Sequence, residues 1–154
     1  MEINIIIFIN LLAYSFIVSQ SFAYIIALTD TQKNMEAGTY IELRKLLDKN
    51  FRKKYKFVIY ISLLSSIVLT ILTSMNTSSI LFIGSSVALL ALIIDIILTL
   101  KGNMPINNII NTWTKDNYPS DWKSYRSKWL SIFSKRQIVT ITGFLCLLIG
   151  VIFC

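Results

Sequence analysis

The sequence predicts an all-α integral membrane protein: a four-helix bundle with further helices lying along one membrane surface. Three observations predict it. Residues 3–29, 57–94 and 137–154 contain no charged side chain, and 55% of the 154 residues are hydrophobic. The same tracts lack the apolar/polar alternation of a barrel strand. Roughly 20 apolar residues carry a helix across the hydrocarbon, so the three tracts hold four crossings, the middle tract supplying two. A helix is the form that satisfies every backbone N–H and C=O inside its own segment. The expected spans are residues 3–28, 57–75, 80–100 and 137–154 of a single domain.

The first tract carries Glu2 and no Lys or Arg at its start, and its apolar run exceeds that of a cleaved signal peptide, so it is read as a retained span. Asn10, Tyr14, Ile17, Ser21 and Tyr24 share one of its faces. Such a face serves helix packing, or lines a pocket through Tyr14 and Tyr24.

Between the first two spans, Thr39 and Glu42 have the spacing of a capping box. Tyr40, Leu43, Leu47 and Phe51 then fall on one helical face, with Arg44, Lys45, Lys49, Arg52 and Lys53 mostly elsewhere. This predicts an amphipathic helix on the membrane surface, its cations meeting anionic lipid.

The second and third spans are joined by an uncharged connection near Met75 to Ser79. The third contains Asp95, the one ionisable side chain inside an expected span, about 9 Å from Lys101 at 1.5 Å per residue. A carboxylate at that depth is costly unless paired or protonated. Burial would make it a usable base, whereas a tie to Arg126 or Arg136 would make it a structural link.

The next connection is the richest in polar groups. Pro105 suits the first turn of a short helix that Asn103 is placed to cap, and Asn103, Asn107 and Asn108 cluster about it. Trp122, Arg126, Trp129, Phe133 and Arg136 recur on one face of a helix that runs into the fourth span. Two readings fit this stripe. One is an aromatic belt with arginines on lipid phosphates. The other is a cation–π and hydrogen-bond wall over a pocket between helices.

Eight of the 15 basic residues lie between the first two spans and seven between the last two. The positive-inside rule then puts both basic loops in the cytoplasm of a cell-membrane protein and both termini outside. The net charge of +7 is thereby a topology signal, and nucleic acid is not an expected partner. Cys146 and Cys154, about 12 Å apart along one helix, cannot bridge each other. With no histidine and scattered carboxylates, neither a metal nor another cofactor is expected.

The run Gly102, Asn103, Pro105, Asn107 and Asn108, followed by Trp113, Trp122, Arg126, Trp129 and Arg136, resembles the signature of the anthrone-oxygenase-like family of small four-helix membrane proteins. The resemblance implies cofactor-independent oxidation of a hydrophobic aromatic or quinone-like molecule. Asp95, Asn107 and Arg126 would then be catalytic, while Asn103, Asn108, Trp113, Trp122, Trp129, Arg136, Tyr14 and Tyr24 would contact the ligand. The chain departs from members with a histidine just before the final arginine, carrying Phe133 there. The alternative is a non-enzymatic module that binds lipid, a second copy or a partner membrane protein through the same loop.

Overall fold

The computed structural model describes residues 2–154. It contains four long helical rods and, among the described residues, no strand: α1 (Ile3–Asn34), α2 (Ala37–Thr73), α3 (Ile80–Ile110) and α4 (Trp122–Ile152). All four are long and apolar enough to cross a bilayer. The chain is a multi-pass membrane protein built as an all-α four-helix bundle. Successive rods alternate in direction and close into a ring in which α1 and α3 each pack on both α2 and α4.

Rods of 31 to 37 residues are roughly 45–55 Å long, well beyond the hydrocarbon thickness of about 30 Å. Each therefore continues past its apolar stretch, and this corrects the expected boundaries. The surface helix expected before the second span is not a separate element. Its residues form the first half of α2, which is unbroken from Ala37 to Thr73. No Gly or Pro interrupts Arg52-Lys-Lys-Tyr-Lys-Phe57, so the switch from charged to apolar sequence changes the solvent and not the direction of the chain. The helix begins after Glu36, and Thr39 does not cap it.

α1 runs past residue 28 to Asn34 through a π-helical turn at Tyr24–Leu28. α3 passes its expected end at residue 100 through a second π turn, Thr99–Asn103. Pro105 lacks an N–H, and its ring would strike the carbonyl of Lys101 in a regular helix. The wider turn immediately before it accommodates both and lets the rod continue to Ile110. Asn103 lies within that turn and makes no cap, contrary to the role its position before Pro105 suggested. α4 starts at Trp122 rather than at residue 137.

Phe8, Phe16, Phe57, Leu64, Leu90 and Ile138 point outward and stay exposed, a surface that lipid covers. Inside, at the end bearing the uncharged connection, α3 and α4 touch through glycine. A Cβ on Gly84 would lie 2.4 Å from the Cys146 carbonyl oxygen, and one on Gly143 would lie 2.3 Å from the Tyr14 hydroxyl. Small residues permit this approach, as is common between membrane helices.

A candidate ligand cavity at the basic end of the bundle

At the opposite end, where the rods carry their basic residues, they part. A cavity of about 550 Å³ opens between α2, α3 and α4, with Gln20 of α1 also on its wall. That volume suits a small organic molecule. Most of the wall is apolar or aromatic, with Leu47, Phe51, Tyr55 and Ile59 from α2 and Ile96, Leu100 and Met104 from α3.

Two polar clusters close the rest. In the first, Arg136 donates from Nε to Asp95 Oδ1 at 2.7 Å and from Nη2 to Oδ2 at 3.4 Å. Its Nη1 donates to Asn103 Oδ1 at 3.2 Å, and Asn103 Nδ2 donates to the Trp129 carbonyl at 3.0 Å. The π turn of α3 sets Asn103 between α3 and α4. Asp95 is 1% exposed, so its charge is matched by a nearly parallel fork of donors. Of the two alternatives the sequence left for Asp95, the geometry is that of the structural tie, made by Arg136 and not by Arg126.

In the second cluster Arg44, 4% exposed, donates from Nη1 to the Tyr24 hydroxyl at 3.1 Å and from Nη2 to Asn107 Oδ1 at 2.9 Å. Its guanidinium carbon lies 3.8 Å over the Trp129 ring. Asn107 turns its amide nitrogen to Asp48 Oδ1 at 2.8 Å, and Asp48 Oδ2 accepts from Asn111 at 2.8 Å and from Arg52 at 2.9 Å. Tyr24 packs tilted against Phe133 at 4.3 Å and Trp129 at 5.7 Å, Trp129 stacks on Phe133 at 5.1 Å, and this aromatic stripe of α4 forms the floor under Arg44.

Asp95, Asn103, Asn107, Trp129 and Arg136 are thus brought together on one wall, with Tyr24 directly behind it. The other expected site residues stand elsewhere. Arg126 donates to the carbonyls of Gln32 and Met35, both at 2.9 Å, where it satisfies the free carbonyls at the end of α1. Its guanidinium also sits 4.6 Å over the Trp122 ring. Trp122 packs on Tyr40, and Trp113 packs edge-on against Tyr125 with its carbonyl accepting from Lys45. Asn108 is exposed and accepts from Arg52. Tyr14 lies deep in the glycine-packed end, donating to the Ala88 carbonyl at 3.2 Å. The regular spacing from Trp122 to Arg136 is a single face, but α4 meets α1 along its first part and the cavity only from Trp129 onward.

Arg44, Asp48, Arg52 and Tyr55 are the cavity residues that sequence reasoning missed. Arg44, Asp48 and Arg52 repeat at intervals of four with alternating charge, a stripe that an element facing a polar neighbour carries. That signal was present in the chain but was overshadowed by the surrounding lysines.

No family model, curated protein or solved structure matches the chain. Among the described residues no group of His, Cys, Asp and Glu is arranged to hold a metal ion.

Proposed function

We propose that this membrane protein binds a hydrophobic, oxygen-bearing small molecule in the cavity between α2, α3 and α4. One observation carries the reading: an apolar cavity of about 550 Å³ on which Arg44, Asn103, Asn107, Trp129 and Arg136 converge from three different rods. Apolar walls with a few convergent polar groups are the usual construction of a small-molecule site. The basic residues flanking the cavity support, by the positive-inside rule, a position toward the cytoplasmic side of the membrane.

Cofactor-independent oxygenation is the finer form of this reading and rests on the family resemblance. An anthrone methylene would lose a proton, its carbanion would pass an electron to dioxygen, and loss of water from the resulting hydroperoxide would leave the quinone carbonyl. That sequence needs a base. The two carboxylates on the cavity wall, Asp48 and Asp95, are each bonded to an arginine, so either must loosen that partner before it takes a proton. The geometry therefore supports ligand binding more directly than it supports proton abstraction.

Mass spectrometry of small molecules retained after mild purification tests the binding reading, and oxygen consumption on a simple anthrone tests the reaction. A planar, oxygen-bearing compound retained by the native chain and lost in Met104→Trp, which fills the cavity, is the expected result. Retention of nothing, together with stoichiometric recovery of a larger membrane complex, would replace the reading with that of a docking module.

A further inference from the structure

We infer that the molecule held in this cavity is an amphipathic anion whose charged oxygen group docks on Arg44 beside Trp129, its apolar body lying along α2 and α3. The inference rests on the binding reading above and adds the charge of the ligand. Two buried arginines on the same wall differ in their partners. Arg136 is matched by a carboxylate that meets two of its nitrogens. Arg44 is also buried, yet its hydrogen-bond acceptors are a phenol and an amide, both neutral, and among the described residues it has no ion-pair partner. A buried guanidinium whose charge is met only by neutral groups is unfavourable and calls for an anion.

Asp48, one turn along α2, does not supply it. Its two oxygens are already taken by Asn107, Asn111 and Arg52. Across the whole wall four cations, Arg44, Arg52, Lys56 and Arg136, face two carboxylates, Asp48 and Asp95. Arg52 and Lys56 are exposed and water screens them, so the buried charge left without an ion pair among the described residues is that of Arg44.

Two unpartnered donors belong to this Arg44–Trp129 pair. Arg44 Nε and Trp129 Nε1 are both buried without a hydrogen-bond acceptor. They belong to residues in direct contact, the guanidinium lying 3.8 Å over the indole, and both residues line the cavity. Buried N–H groups rarely go unpaired, because each then forfeits its bond to water. A carboxylate, phenolate or phosphate oxygen beside Arg44 would offset its charge, and a small shift of the guanidinium or the indole that uncovers either N–H would give that donor an acceptor. The cation–π contact stabilises the guanidinium but offers no acceptor to its Nε–H. Fatty and aromatic acids share this chemistry with the headgroup of an anionic phospholipid.

The test uses the full chain in phosphatidylcholine nanodiscs and two fluorescent probes with the same body, 1-pyrenebutyrate and 1-pyrenebutanol, each measured against empty discs. The native protein is expected to bind the carboxylate more tightly than the alcohol. Arg44→Gln is expected to weaken carboxylate binding by about 30-fold or more while leaving alcohol binding in place. Retained alcohol binding shows that the cavity of the variant is intact, and Arg44→Lys should recover part of the loss. Trp129→Phe, which keeps a ring under the guanidinium and removes one donor, should weaken the carboxylate about 5-fold to 10-fold. Displacement of the carboxylate by added phosphatidylglycerol would support a lipid as the source of the anion, and tight carboxylate binding without displacement would support a free organic acid. Equal binding of the two probes, unchanged in Arg44→Gln, would overturn the anionic ligand and leave the binding reading standing. Binding of neither probe would overturn both.

Discussion

The two ends of the bundle solve the same problem, four helices in lipid, in opposite ways. At the end with the uncharged connection, Gly84 and Gly150 bring α3 and α4 into backbone contact, Gly143 makes room for Tyr14 and Ala91, and polar groups are spent on links between rods: Asn10 donates to Ser65 and Ser66, and Tyr14 donates to the Ala88 carbonyl at 3.2 Å. At the basic end larger side chains hold the rods apart, and the polar groups gather around the resulting space. Lipid offers no hydrophobic drive for helix association, so close packing and internal hydrogen bonds must supply it. One end provides that cohesion, which allows the other to leave room for a ligand. The Asp95–Arg136 pair sits at the junction and belongs to both.

That division is broken most severely at the junction. Asp95→Asn leaves Arg136 buried without its counter-charge and is expected to cost about 3–5 kcal/mol of stability. Thermal melting in mild detergent measures it. If the pair is a structural tie, the double variant Asp95→Leu with Arg136→Met should recover much of that loss, since apolar replacement of a buried pair is often close to neutral. The next largest effect falls within the packed end. In Gly84→Ala the new methyl would lie 2.4 Å from a backbone oxygen, which cannot move aside without shifting α4. A loss of about 1–3 kcal/mol is expected, read by the same melt. Ligand binding at the far end should change far less than stability does.

The sequence made the bundle legible but not the glycine contacts of its packed end, and it left the cavity half hidden, for a physical reason. Absence of charge over 20 residues is a property of one segment, visible without knowing its neighbours. A cavity is a relation among segments. Asp95, Asn103, Asn107, Trp129 and Arg136 were detectable because each is unusual where it stands, an acid, amides or a paired Trp and Arg in or beside apolar sequence. Arg44 stands among Lys45, Lys49, Arg52 and Lys53 and differs from them only in the direction it faces, which the unbroken phase of α2 decides. Arg126 is the converse case, placed away from the cavity. It shares a helical face with Arg136, but the two lie ten residues apart on a rod whose neighbours change along its length.

Two smaller effects sharpen the comparison from either side. Asn10→Ala removes the amide that links α1 to α2 in the packed end, and a loss of about 1 kcal/mol is expected by melting, with no change in ligand affinity. Arg126→Met is expected to do still less. It removes two hydrogen bonds to the carbonyls of Gln32 and Met35 at the end of α1, half-exposed to solvent, so water replaces much of what the guanidinium supplied. Stability should fall by well under about 1 kcal/mol. The cavity begins one turn further along α4, at Trp129, so 1-pyrenebutyrate affinity should stay within about 2-fold of the native value, against the far larger loss expected for Arg44→Gln. An equal loss of affinity in the Arg126 and Arg44 variants would show that the aromatic stripe of α4 acts as one unit, and the boundary drawn here between its capping half and its ligand-facing half would have to be removed.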